Sequence, residues 1–182
     1  MKGFLFFIWE VSKIVVIALL IVVPIRYLVF QPFFVRGQSM EPSFYDGDYL
    51  IVDELTYHFR SPERGEVIVF DYPNDPSQRY IKRIIGLPGE TVQIEDGQVT
   101  IYGKDGMPDI LKETKYLGGD VKTSGNLEVK LDNNEYFVLG DNRPVSSDSR
   151  SWGLLPAHDI IGRVLFRAWP VTAMAKITVP QY

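Results

Sequence analysis

Thr91-Val92-Gln93-Ile94-Glu95-Asp96-Gly97-Gln98-Val99-Thr100-Ile101-Tyr102 is the stretch that decides the fold class. Two β-like runs flank Asp96-Gly97, and that dipeptide accepts the positive φ angles of a two-residue hairpin turn. Similar runs lie on either side. Upstream are Tyr49 to Val52 and Glu66 to Phe70, bounded by Gly47-Asp48, Pro62, Gly65 and Pro73. Gln78 to Ile85 follows, stopped by Gly86-Leu87-Pro88-Gly89. Downstream, Leu127 to Leu131 and Glu135 to Leu139 join through Asn133-Asn134, and Ile160 to Trp169 is the last strand. Gly103 to Gly125 is polar and turn-rich, and reads as a surface insertion without nameable chemistry. The expected fold is mainly β.

Composition agrees and narrows the function. The 182 residues allow one domain plus an anchor, with enough apolar content for a core that needs no disulfide. With no cysteine, thiol catalysis and a Cys-based zinc site are excluded. A net charge of −4 gives no broad nucleic-acid surface. The 12 prolines and 15 glycines favour short strands and turns over a helix bundle.

The first residues are different. From Ile14 to Ile25 every residue is apolar, and apolar character continues through Tyr27-Leu28-Val29-Phe30. Trp9 and Tyr27 are separated by about 27 Å of helix, close to a hydrocarbon thickness of roughly 30 Å. Glu10 and Lys13 can pair on one face and snorkel to the nearer interface. A cleaved leader would need small residues at a cut site, and Pro24-Ile25-Arg26-Tyr27 offers none. Residues 1–31 are therefore expected to be a permanent membrane anchor, and residues 32–182 a β domain with its insertion around 103–125. The final strand carries Arg163 and Arg167 and is followed by Pro170 and Lys176, which argues against a second span. Basic residues fall on both sides of the anchor, so the positive-inside rule does not orient it.

The polar residues that stand out are few. Gly37-Gln38-Ser39-Met40-Glu41-Pro42 places a serine on a short loop behind the anchor. A serine hydroxyl is a weak nucleophile until a base takes its proton. Only His58 and His158 exist, neither in a motif, and both read as structural or exposed; two scattered histidines also argue against a metal site. Lysine is the alternative base, provided burial lowers its pKa. In the strand Tyr80-Ile81-Lys82-Arg83-Ile84-Ile85, Tyr80, Lys82 and Ile84 share one face, and Ile81, Arg83 and Ile85 the other. Lys82 can thus be drawn inward while Arg83 stays solvated or pairs with an acid. Taken alone, Lys82 is more readily a solvated strand lysine. A third cluster changes the balance. Gly140-Asp141-Asn142-Arg143-Pro144-Val145-Ser146-Ser147-Asp148-Ser149-Arg150 can close a charge-assisted network, with Ser146 or Ser149 left to orient a neutral lysine.

Ser39-Met40-Glu41-Pro42, Gly47-Asp48, Tyr80 to Gly86 with Pro88-Gly89-Glu90, and Gly140 to Arg150 resemble, in order, the motifs of bacterial type I signal peptidases. The resemblance runs from the anchor to about Trp169. It implies a β fold of coiled antiparallel sheets with one N-terminal transmembrane helix, and a Ser-Lys dyad with no cofactor and no metal. It implies Ser39 as nucleophile and Lys82 as general base, with the Ser39 backbone N–H as one oxyanion donor. Ser146 matches the serine that helps hold the lysine, and Asp148 and Arg150 match the structural acid and arginine; Asp141 and Arg143 complete that set. Where some members have a serine two positions before the nucleophile, this chain has Gly37, as in the Gram-positive form. The substrate pockets are implied at Val35, Met40, Phe44, Tyr80 and Ile81, admitting small side chains of an Ala-X-Ala site. The implied partners are signal-peptide-bearing preproteins, the lipid bilayer and the export machinery, and the place is the extracytoplasmic side of the cytoplasmic membrane. Phe33 and Phe34 read equally as lipid-dipping or as core. Two other readings compete: a self-cleaving repressor-type Ser-Lys peptidase, which would carry a DNA-binding domain, and a catalytically idle anchored β domain that binds exported proteins.

Overall fold

The computed structural model describes residues 2–28, 30–118, 121–180 and 182, with side chains at 2, 5 and 21–30 outside the description. Helix α1 spans Lys2–Leu28 and strand β1 follows at Phe30–Phe34. Then come β2 (Tyr49–Asp53), β3 (Val67–Tyr72), β4 (Asp75–Gly86), β5 (Thr91–Glu95), β6 (Gln98–Tyr102) and β7 (Pro108–Ile110). The chain continues through β8 (Leu127–Lys130), β9 (Glu135–Leu139), the one-turn helix α2 (Ser149–Trp152) and β10 (Leu155–Pro156). It closes with β11 (Ile160–Trp169) and β12 (Ala175–Lys176).

All strand pairs are antiparallel and fall into two sheets. The larger runs β1-β2-β11-β3-β4-β9-β10, with β12 on β11; the smaller runs β7-β6-β5-β8. The Asp96-Gly97 turn has φ +51° and +84°, as the hairpin reading requires. The insertion is less irregular than expected. Pro108–Ile110 pairs with β6, and Leu111 and Leu117 are buried.

The uninterrupted apolar run of β3 has a simple cause. Val67 and Val69 pack with Val35, Met40, Phe44, Leu50 and Val52 on one side, while Ile68 and Phe70 pack with Ile84, Tyr136, Val138 and Leu155 on the other. A strand covered on both faces has no polar side to show. A third cluster joins the β5-β6 hairpin to Ile85, Phe137 and Leu139.

The helix α1 shows its described apolar side chains to the surroundings, with Phe4, Trp9, Ile14 and Leu20 all more than 60 % exposed. Lys13 and Glu10 pair at 2.7 Å, as their spacing predicts. Among the described residues no helix is long and apolar enough to cross a membrane. The anchor reading also rests on side chains at 21–28, which lie outside those described.

Candidate active site

The loop joining β1 to β2 carries Ser39. Its two ends are zipped together by Val35 N–H to Asp48 O and Gly47 N–H to Val35 O, each 2.9 Å. Met40 and Phe44 are fully buried and pin the loop into the core from within. Between those pins and the mouth of the hairpin, Ser39 is left half-buried, at the surface of the sheet rather than inside it.

Lys82 comes to it from β4. Its side chain is almost wholly buried, and Nζ lies 2.9 Å from Ser39 Oγ and 2.9 Å from the carbonyl oxygen of Ile81, both within hydrogen-bond reach. The Tyr80 ring stands 5.3 Å away. Burial pulls the Lys82 ammonium down to about 8, against the smaller opposing pull of the Asp148 and Asp141 carboxylates. An amine in that range is neutral in a useful fraction of molecules at neutral pH. In its charged form it donates to Oγ; neutral, it accepts the serine proton.

The strand alternation that separates Lys82 from Arg83 is present. Tyr80 and Ile84 pack in one core cluster, and Ile81 packs in another. Arg83 takes the second option left open to it and pairs with an acid. Its guanidinium grips Asp141 at 2.9 and 2.5 Å, donates to Gly65 O and lies 4.0 Å from the Tyr116 ring.

The Gly140–Arg150 loop closes over the pair from β9. Asn142 donates its backbone N–H to Ser39 O and its side-chain amide to Gln38 O, each at 3.0 Å. Asp148 is fully buried, caps α2, accepts from Gly140 N–H and holds Arg150 in a two-pronged ion pair at 2.8 Å. Ser149 Oγ accepts from Val138 N–H. A side chain at Gly140 would run into Ser146 and the carbonyl of Ser39, so the loop sits this close only because residue 140 has none.

Several sequence expectations land differently. Asp141 and Arg143 do not pair within their own loop: Asp141 reaches Arg83, and Arg143 reaches Glu113. Ser146 Oγ is buried, has no hydrogen-bond partner among the described residues and is not bonded to Lys82. The Gly37 N–H is taken by Asp46 Oδ1 at 2.7 Å. Beside the pair lies a groove of about 730 Å³, lined among others by Phe34, Val35, Ser39, Tyr80, Ile81 and Lys82. Val35, Tyr80 and Ile81 line it, while Met40 and Phe44 form the core beneath. Phe33 and Phe34 both line the groove, Phe34 with 67 % of its surface exposed. Neither histidine is in it.

The family described as signal peptidase, peptidase S26, matches residues 8–169. The chain belongs to that family. A probable signal peptidase I-2 of Synechocystis is 37 % identical over 93 % of this chain and 77 % of its own length. The signal peptidase I of Bacillus amyloliquefaciens is 37 % identical, covering 92 % of this chain and 89 % of that protein. A signal peptidase IB of Staphylococcus aureus is 34 % identical over 89 % of this chain and 88 % of its own. Among solved structures, a signal peptidase I of Enterococcus faecalis is similar at 31 % identity and a TM-score of 0.47, covering 57 % of this chain and 97 % of that one.

Proposed function

We propose that this member is a membrane-anchored serine endopeptidase that removes N-terminal signal peptides from exported preproteins, with Ser39 as nucleophile and Lys82 as base. The observation that carries the reading is the contact between them: Nζ of a buried lysine at 2.9 Å from a serine Oγ, with no histidine in the groove. Neutral Lys82 takes the Ser39 proton as Oγ attacks the scissile carbonyl carbon. The resulting ammonium then returns the proton to the departing amine, and in the second half Lys82 draws a proton from water to free the acyl-serine. One oxyanion donor is the Ser39 N–H. Residue 37 has no hydroxyl and its N–H serves Asp46, so the second donor comes from elsewhere.

Strand β4 supports the way a substrate is held. Residues 79–82 pair with β3 along one edge and, among the described residues, with no strand along the other; β9 joins β4 only from Arg83 onward. That free edge lies in the groove, where an extended peptide adds as a strand, its backbone supplying affinity and shallow apolar pockets selecting small residues of an Ala-X-Ala site. The exposed apolar surface of α1 supports the anchor: a helix apolar all round is unstable in water and stable in lipid. With the helix ending at Leu28 and the nucleophile at Ser39, the site works near the bilayer surface.

The test is cleavage of a preprotein bearing an Ala-X-Ala site by the full chain in lipid. The wild type cuts after the second alanine, and Ser39→Ala and Lys82→Ala, folded to the same extent, lose at least about 10³-fold in kcat. Full activity in Lys82→Ala would sink the dyad, and a folded wild type that cuts nothing would favour the idle binding domain.

A further inference from the structure

The segment between β6 and β8, which reads in the sequence as a surface insertion, reaches the Gly140–Arg150 loop with three side chains. Glu113 takes both arms of the Arg143 guanidinium, Nη1 to Oε2 at 2.8 Å and Nη2 to Oε1 at 2.5 Å. Arg143 Nη1 also donates to Thr123 Oγ1, and Arg150 Nη1 donates to Ser124 O and Oγ at 3.3 and 3.1 Å. The Arg143 side chain is 0 % exposed and that of Glu113 10 %, and among the described residues Glu113 is the one carboxylate paired with Arg143.

Glu113 is itself held. The N–H groups of Tyr116 and Leu117 donate to its carbonyl at 3.2 and 2.9 Å, making a turn that Leu117 buries. The Tyr116 hydroxyl donates to Oε1 at 2.5 Å while its ring lies against Arg83. From Arg143 the contacts run on to the nucleophile. Arg143 Nε donates to Gly140 O at 3.1 Å, and the next residue back, Asn142, holds the carbonyls of Gln38 and Ser39. A guanidinium this far from water keeps its place only while its charge is matched. Remove the carboxylate and the guanidinium must turn toward solvent, taking the hydrogen bond to Gly140 with it.

We propose that Glu113 is a positioning residue for the Ser39–Lys82 pair, acting through Arg143 and Asn142, an assignment that rests on the peptidase reading above. The experiment compares the full-length wild type with Glu113→Gln and Glu113→Asp in lipid, by steady-state cleavage of the Ala-X-Ala preprotein and by amide hydrogen exchange. The Gln variant is expected to lose at least tenfold in kcat with KM within twofold, and Asp to recover most of that loss. Exchange across residues 140–146 is expected to speed at least tenfold in Gln, while β5 and β6 keep their protection. A kcat for Gln within twofold of the wild type overturns the assignment. So does unchanged exchange at 140–146, or faster exchange spread evenly over the domain, which marks plain destabilisation. A wild type that fails to cleave overturns the peptidase reading instead, and the exchange data still decide whether Glu113 holds the loop.

Discussion

Lys82 has two measurable signatures. Its folded pKa of about 8 lies below the ordinary 10.5, so between those values the unfolded chain binds more protons than the folded one. Stability contributed by this group therefore rises with pH across that window, and below about 8 the full cost of burying the ammonium, on the order of 3 kcal/mol, is present. If Lys82 is the base, as proposed, the same group sets the activity, because only the neutral amine accepts a proton. We expect kcat/KM to rise about tenfold per pH unit up to about 8 and to level above it. Lys82→Met, measured by thermal unfolding at pH 7, is expected to raise the Tm while abolishing cleavage. A flat pH profile, or a less stable Met variant, would contradict the burial argument. In the sequence, Ser39 and Lys82 stood out through the motifs that resemble the family, because a strand lysine taken alone reads as solvated. Residue spacing by itself says nothing of a contact across 43 positions. Asp141 and Arg143 show the limit better: their partners, Arg83 and Glu113, lie 58 and 30 positions away, and nothing in a polar turn says which distant charge it will meet.

At the level of elements, the strands that alternate or run apolar for five residues or more were readable, and the Asp96-Gly97 hairpin most clearly. The missed ones have physical excuses. β1 contains Pro32, β7 begins with Pro108, and β10 and β12 are two residues each, so period and propensity had too little chain to act on. The close fit of the β9–α2 connection to the Ser39 loop gives the element-scale prediction. Gly140→Ala puts a methyl group into the Ser146 side chain and the Ser39 carbonyl. Overpacking of this kind costs about 1–3 kcal/mol, so the variant is expected to fold with a lowered Tm. Either the Ser146 side chain or the Ser39 carbonyl must shift to make room; with Ser39 as the proposed nucleophile, kcat is expected to fall by about 100-fold, more than the loss of folded protein explains. Thermal unfolding and cleavage on one preparation separate the two effects.

For the whole molecule, α1 and the β domain make different demands on solvent. The domain buries its apolar residues in three clusters, while the described apolar side chains of α1 stay outside. Full-length protein reconstituted in vesicles is expected to stay with the lipid after alkaline carbonate washing, and release into the supernatant would remove the anchor from the account. The open edge of β4 has a further consequence, for inhibition. A compound that competes there gains more from being locked straight than from being decorated, because rigid extended backbones lose little entropy on docking. An electrophile placed on such a scaffold opposite Ser39 would be captured at a rate set by the lysine, and the same compound would act slowly in acidified surroundings and quickly in mildly alkaline ones.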